Sequence, residues 1–596
     1  MIGIPRSLIS RAGRQVKADL REDPYLPYIL LLALALASFW FWHRIPNFAT
    51  RDEKSRLFDV MVAYGQVLDD PSFESLKEGV LWGRVPFGAT FYTFGLALLP
   101  VVLAAAVFGE LSAFTSLGFP SYEFGFYAGW QSMPRWVWLW SIAFVRLVNV
   151  AFAVGCVYLT YRIGTAVRDR MTGNLSALLL TFTFGFLTIA HEGGEDMPAT
   201  FFVLLALYLV FRYVQTDERA LFLAGSAAGG VAIAFKLTAA PVILVIAVAY
   251  VLRVRRAGAE WRSALFRPGM LVGGALAGLL AIAVGFPTLL VGGIDDILHR
   301  FLEGSTTRAT HTTGPDAPIW WWFLRGYFSG LSLPLFVAAV GGIVGSAYTL
   351  WKDSEDGDFD GTLLVFAGLA LYILLFSQWH DFRVHHLLPT FPIIAILLAK
   401  PLLGLRDHRR KVAHVVIAVL LVTSGFYAVM GVSGYDSMPR DEAESWLAAN
   451  ADENDTMEVY RRDFQDAAVP FWMDVKHRFD DESGVGEDCA EFVQVTYRDL
   501  LYLKEWTYYR NGLVKERYIT DLLRGEHEYE VAATFGPAPP RYVPERATPG
   551  SLTDLFRYGM VPQTDQYADE QELAANQFTV ILERTGECNP SRNPPF

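Results

Sequence analysis

Cysteine is nearly missing from this sequence, with three in 596 residues. No CxxC pair or Cys/His metal spacing occurs, which argues against a zinc ribbon or a disulfide-dense scaffold. No Walker-type loop occurs and no GxGxxG adjoins a predicted strand, so the usual soluble nucleotide sites are missing. Charged residues make up only 19%, against about 25% in soluble domains. Lysine is scarce among them, about 10 against about 40 arginines. Nothing basic and clustered suggests nucleic acid as a partner. There is no internal repeat or low-complexity segment. A cleavable signal is not expected, because the first apolar run starts about 27 residues in and lacks a small-residue cleavage site.

Apolar sequence is what the chain has in quantity. Hydrophobic residues reach 53% and aromatics 14%, with a mean hydropathy of +0.28. A spanning helix needs about 20 apolar residues. Candidate runs lie near 28–45, 86–108, 136–161, 175–190, 198–213, 220–252, 270–291, 328–350, 362–378, 385–399 and 413–432. The run 220–252 is too long for one span, and Lys236 divides it into two helices. Charge divides the chain as well. Residues 435–596 carry 32 acids against 16 bases, and the remainder 30 against 34. The expected domains are therefore a membrane domain over 1–434 and an acidic extracytoplasmic domain over 435–596.

Basic loops fix the orientation, since Lys and Arg favour the cytoplasmic side. Arg6, Arg11, Arg14, Lys17 and Arg21 precede the first span. Further clusters are Arg162/Arg168/Arg170, Arg253/Arg255/Arg256/Arg262 and Arg406/Arg409/Arg410/Lys411. All fall inside only if 86–108 lies on the membrane surface or re-enters. This gives about 11 transmembrane helices, a cytoplasmic N-terminus, a first outside loop over about 46–135, and an outside tail, with the plasma membrane as the expected location. In the tail, 441–450 reads as a short helix, and 456–460, 491–495 and 578–582 read as strands of a small α/β domain. Cys489 and Cys588 can form a disulfide there if the tail is extracytoplasmic.

The residues able to do chemistry gather on the outside. Asp52 and Glu53 follow the first span by about seven residues and suit proton transfer or metal binding; alternatively they are ordinary solvated acids. His191, Glu195 and Asp196 precede Met197-Pro198 and the next span, where the acids suit catalysis or simple helix capping. Arg84, Lys236, Arg383, His385 and His386 are cations at the same face. They suit a lipid phosphate, with interfacial snorkelling as the plain alternative. Trp320-Trp321-Trp322 reads as an interface anchor.

At these residues the chain resembles the GT-C membrane glycosyltransferases, above all protein O-mannosyltransferases (glycosyltransferase family 39) and lipid A aminoarabinose transferases. Asp52-Glu53 is similar to the acidic pair of their first outside loop. Arg84-Val85-Pro86-Phe87 resembles their Lys-Pro-Pro-Leu segment, and His191 to Pro198 their second acidic loop. Phe382-Arg383-Val384-His385-His386-Leu387-Leu388-Pro389 resembles their Arg-Tyr-Leu-Leu-Pro element, with two extra residues after Arg383. The Trp-Trp-Asp signature of oligosaccharyltransferases is absent.

The resemblance covers about 25–435 and implies a polytopic α-helical GT-C-like protein with a soluble C-terminal α/β domain. It implies transfer of one sugar, dolichyl phosphate mannose being the family's donor type, from a polyprenyl phosphate to a protein, glycan or lipid acceptor. The expected catalytic residues are Asp52 as base with Glu53 and Asp196. Arg84, Lys236, Arg383 and His385 are expected on the donor phosphate, with His191 and Glu195 as acceptor or support residues. No cofactor or metal is assigned. The rival reading is a transporter or flippase of lipid-linked sugar, which would favour inverted repeats and mid-span charges.

Overall fold

The computed structural model describes residues 6–83, 88–121, 125–295, 319–353, 360–377, 384–436, 438–460, 467–477, 489–503, 513–536, 552–562, 578–588, 592 and 594–596. The chain is an integral membrane protein. Among the described residues seven helices are long and apolar enough to cross a membrane, or eight if the bent pair Arg170–Thr181 and Phe184–Ala190 is one span. Three further expected spans are shorter apolar helices: Leu26–Ser38, Arg219–Phe235 and Gly361–Phe376. The first stops early because the aromatic run after Ser38 unwinds. Phe39 is extended, and Trp40 and Arg44 adopt left-handed backbone angles.

The long apolar run near 220–252 breaks where its charge predicted. Helix Arg219–Phe235 ends, Lys236 is extended (φ −149°, ψ 124°), and Leu237–Ala239 forms a single 3₁₀ turn before helix Pro241–Arg256. The ammonium group is thereby placed at an interruption, where neighbouring side chains can reach it.

The segment 86–108, expected to lie on the surface or re-enter, forms helix Gly88–Phe108, which by length and composition is one of the seven able to cross a membrane. Its first residue packs so closely on Gly285 and Phe286 that a Cβ at Gly88 would lie 2.5 Å from the Gly285 carbonyl oxygen. Its last residue, Phe108, meets the ring of Trp136, in the first turn of helix Arg135–Val167. Between these points Phe94, Leu98 and Val101 share a core with Val137, Trp138 and Val145. The helix therefore climbs along the start of Arg135–Val167 and does not descend toward Arg162 at its far end.

The C-terminal region forms a five-stranded sheet in the order β2-β1-β3-β5-β4. Its strands are β1 (Thr456–Val459), β2 (Asp474–Lys476), β3 (Phe492–Thr496), β4 (Tyr529–Phe535) and β5 (Thr579–Arg584). The first three pair in parallel, and β5 runs antiparallel to β3 and β4. The expected helix and all three expected strands are present. The two unforeseen strands are the sheet edges, where β2 has three residues and β4 exposes most of its side chains, so neither shows an apolar run. Cys489 and Cys588 are disulfide-bonded with Cα atoms 5.3 Å apart, and Cys156 is a buried free thiol.

This region seats on the first loop. Leu447, Met457, Val469, Phe492 and Ile581 join the core of the 51–145 segment. Gln131 donates to the Met473 carbonyl (2.7 Å), and Asn47 donates to Glu444 (2.7 Å). Of the tryptophans expected to anchor at an interface, Trp321 is instead fully buried and Trp320 is half exposed.

Candidate active site

Helix α3 (Arg51–Asp69) starts with a well-made cap. Thr50 is extended and its hydroxyl accepts from the Glu53 backbone N–H at 3.1 Å. The Glu53 carboxylate reaches back to the Ala49 N–H at 2.7 Å, a close variant of the reciprocal capping box. The i, i+4, i+7 spacing of Asp52, Arg56 and Asp59 then sets all three on one face. Arg56 lies 3.7 Å from Asp59.

Glu53 is fully buried and has four donors. Arg146 holds it through Nε (2.7 Å) and Nη2 (2.9 Å), and Ala49 and Gly193 supply backbone N–H groups, the latter at 2.8 Å. Arg146 is itself fully buried, and its Nη1 donates to the carbonyls of Phe41 (2.7 Å) and His43 (2.6 Å). The pair thus ties together the end of the first apolar segment, the start of α3, and the 191–196 loop. Gly193 allows the close approach: a Cβ there would meet Val145 at 2.9 Å and a Glu53 carboxylate oxygen at 3.3 Å. Asn149 fixes the same loop by donating to the Glu192 carbonyl at 2.6 Å.

That loop brings two further acids to α3. Glu195 accepts from Arg56 Nε at 3.3 Å. Asp196 opens helix Asp196–Thr216 and accepts from the Lys236 ammonium at 2.5 Å. Asp52 is electrostatically coupled to both Arg56 and Glu195. Glu53, Asp59, Glu195 and Asp196 are buried, whereas Asp52 is only partly so. The site is a carboxylate cluster threaded by two cations, with Asp52 as its most accessible acid.

Burial raises the Glu195 carboxyl to about 7, with Asp52 and Asp196 adding to the effect and Arg56 and Lys236 opposing it. Burial pulls Arg56 down, but Glu195, Asp52 and Asp59 outweigh it and leave Arg56 raised. Because the folded value for Glu195 lies above the ordinary 4.5, its neutral form is the one the fold favours. Its contribution to stability is full below that ordinary value and is lost as pH rises through about 7. Thermal melts from about pH 5 to about pH 8 should show this loss, and Glu195→Gln should flatten it. Parallel pH profiles for the two proteins would refute the assignment.

His191 and the histidine turn stand behind these acids and beside the Lys236 segment. His191 sits between the carbonyls of Leu187 (2.8 Å) and Phe39 (2.6 Å), and stacks on Tyr435. Burial lowers its pKa to about 4, so it is a neutral strut at ordinary pH. His385 and His386 are buried on the turn Val384–Leu387. His386 stacks on Phe376, one helical turn from Tyr372, whose hydroxyl donates to Ala239 at 3.4 Å. This route connects the histidine turn to the Lys236 segment. Arg84 and Arg383 lie outside the described residues. Among the described residues no group of three or more His, Cys, Asp or Glu is arranged for a metal ion.

Sequence reasoning missed Arg56 and Arg146. Both carried a signal. Arg56 stands four residues after Asp52, and Arg146 interrupts the apolar run WVWLWSIAFVRLVNV, where a lone charge needs a partner.

The chain resembles the GT-C glycosyltransferases. Residues 138–286 match the family model described as dolichyl-phosphate-mannose-protein mannosyltransferase. The matched segment contains Arg146, His191, Glu195, Asp196 and Lys236 and stops short of Asp52. Similar solved structures include ArnT from Cupriavidus metallidurans bound to undecaprenyl phosphate, at 16% identity and a TM-score of 0.46 over 76% of this chain and 86% of that one. The Archaeoglobus fulgidus oligosaccharyltransferase in complex with Zn and sulfate is another, at 11% identity and a TM-score of 0.45 over 94% and 88%. A third is AglB from the same organism with an inhibitory peptide and a dolichol-phosphate, at 10% identity and a TM-score of 0.45 over 95% and 89%. No curated protein matches the sequence.

Proposed function

We propose that this chain is a membrane glycosyltransferase that moves one sugar from a polyprenyl phosphate, of the dolichyl phosphate mannose type, to an acceptor at the outer membrane face. The observation that carries the reading is the meeting of Asp52 with Arg56, Glu195, Asp196 and Lys236, drawn from three distant segments to one end of the bundle. Partly accessible Asp52 is the base. It takes the hydroxyl proton as the acceptor oxygen bonds to the anomeric carbon and the carbon–oxygen bond to phosphate breaks.

The lipid phosphate gains charge as it leaves, so fixed cations at its position lower the barrier. Lys236, Arg84, Arg383 and His385 are assigned to it, with Asp196 holding the Lys236 ammonium ready. Glu53 is a positioning residue, because its two oxygens are already occupied by four donors. The test is incubation of the purified protein in vesicles with a labelled polyprenyl-phosphate monosaccharide and candidate acceptors. One labelled sugar should appear in covalent product, with free polyprenyl phosphate released in equal amount. Movement of intact donor across the bilayer without bond cleavage would replace this reading with the flippase.

The reading requires the cluster and the acidic C-terminal domain to face outside. A tag inserted after Gly434 should be accessible to an impermeant reagent in intact cells, and a tag near Arg168 should be accessible only after permeabilisation. A cytoplasmic tag at 434 would remove both the topology and the proposed site.

A further inference from the structure

The first helix, α1 (Arg6–Glu22), has no part in the proposed site. It lies across the opposite end of the bundle and is fastened at three points. Arg11 pairs with Glu218 at 2.9 Å, Asp19 with Arg162 at 3.0 Å, and Glu22 with Arg170. Tyr158 adds a hydrogen bond to Asp19 at 2.8 Å. The same end carries Asp217, which holds Arg253 and Arg267.

These fastenings use one side of the helix. Arg14, Lys17 and Arg21 occupy i, i+3 and i+7, a single stripe. Asp19, two residues on from Lys17, points the opposite way into the bundle and is buried. All three cations are exposed, and no ion pair or hydrogen bond joins their side chains to a described residue. Arg11, Arg162 and Arg170, by contrast, are all paired. Val16 and Leu20 run along the border of the stripe, each more than one-third exposed, and just beyond the helix Tyr25 and Tyr28 are exposed at 59% and 73%. An exposed apolar edge beside unpaired cations is the pattern of a helix resting in a lipid interface, and long basic side chains reach headgroups while their stems stay on apolar surface.

We infer that α1 is an interfacial helix whose Arg14–Lys17–Arg21 stripe binds the headgroups of anionic phospholipids at the bundle end opposite the carboxylate cluster. The inference is independent of the reaction proposed above.

A Lys or Arg near an anionic surface strengthens binding by about fivefold, so three together are expected to give about 100-fold. The test uses the purified full chain in a neutral detergent, with its thermal unfolding midpoint read during titration with phosphatidylglycerol. The midpoint should rise and saturate, and phosphatidylcholine or soluble glycerol phosphate should leave it unchanged. In the Arg14→Gln/Lys17→Gln/Arg21→Gln variant, half-saturation should need about 10- to 100-fold more phosphatidylglycerol. Glutamine keeps the helix propensity close to that of the residues replaced. In the unmodified protein, about 1 M salt should abolish the rise, because exposed charges are then screened within a few ångströms. An equal phosphatidylglycerol response in the variant, a salt-insensitive response, or an equal response to phosphatidylcholine or glycerol phosphate would overturn the inference.

Discussion

Replacing Asp52 with Asn should lower sugar transfer by about 10²- to 10⁴-fold, the usual contribution of a general base, while the protein folds and binds donor as before. The substitution nearly conserves volume and removes the group's ability to take a proton. It leaves in place the ties that hold this corner together. The helix start is capped by Thr50, and the neighbouring segments are tied by Glu53 and Arg146. Donor affinity should survive because the phosphate contacts are assigned to Lys236, Arg84, Arg383 and His385. The measurement is single-turnover transfer by purified protein alongside direct binding of labelled donor. Near-normal transfer by Asp52→Asn would take Asp52 out of the mechanism. Glu195 would then be the next candidate, since Glu53 is saturated with donors and Asp196 is held by Lys236.

Hydropathy located the helical runs, because an apolar segment long enough to bury in lipid is visible as a local average. It also located the break at Lys236, because a single charge inside a run of more than 30 apolar residues is best accommodated where the helix stops. The same averaging concealed the early end of α2 (Leu26–Ser38). Phe39, Trp40, Phe41 and Trp42 are as apolar unwound as helical, and only the backbone shows the turn. Averaging hid Arg146 as well, since one arginine barely lowers the mean of its window. A different rule separates Glu53 from Asp52. Thr50-Arg51-Asp52-Glu53 carries the spacing of a capping box, which makes Glu53 a cap and leaves Asp52 on the helix face with Arg56. The acids and Lys236 were legible as residues able to do chemistry. Their partners were not, because Asp52, Glu195 and Lys236 are far apart in sequence and only the folded chain sets Arg56 between the first two. His191 looked equally reactive in sequence, but the carbonyls of Leu187 and Phe39 and the ring of Tyr435 give it a packing role.

Arg146→Met should be the most destabilising single change in the site. Both Arg146 and Glu53 are withdrawn from solvent, and removing one partner of a buried pair leaves the other charge uncompensated, at a typical cost of about 3–5 kcal/mol. Here the loss extends further, because the carbonyls of Phe41 and His43 lose a shared donor in the same step. The first apolar segment, the start of α3 and the 191–196 loop would then lose their common tie. Glu53→Gln added to Arg146→Met should recover part of the loss, since a neutral amide removes the buried charge and its one carbonyl oxygen can still accept from either Ala49 or Gly193. The non-additivity of that double-mutant cycle measures the coupling. Thermal melts in detergent check the stability, and transfer assays separate the two kinds of variant. Arg146→Met should lose activity in proportion to its folded fraction, whereas Asp52→Asn should lose turnover while fully folded. A melt for Arg146→Met indistinguishable from the unmodified protein would show that the pair does not hold the site together, and Glu53 would again be a candidate for direct chemistry.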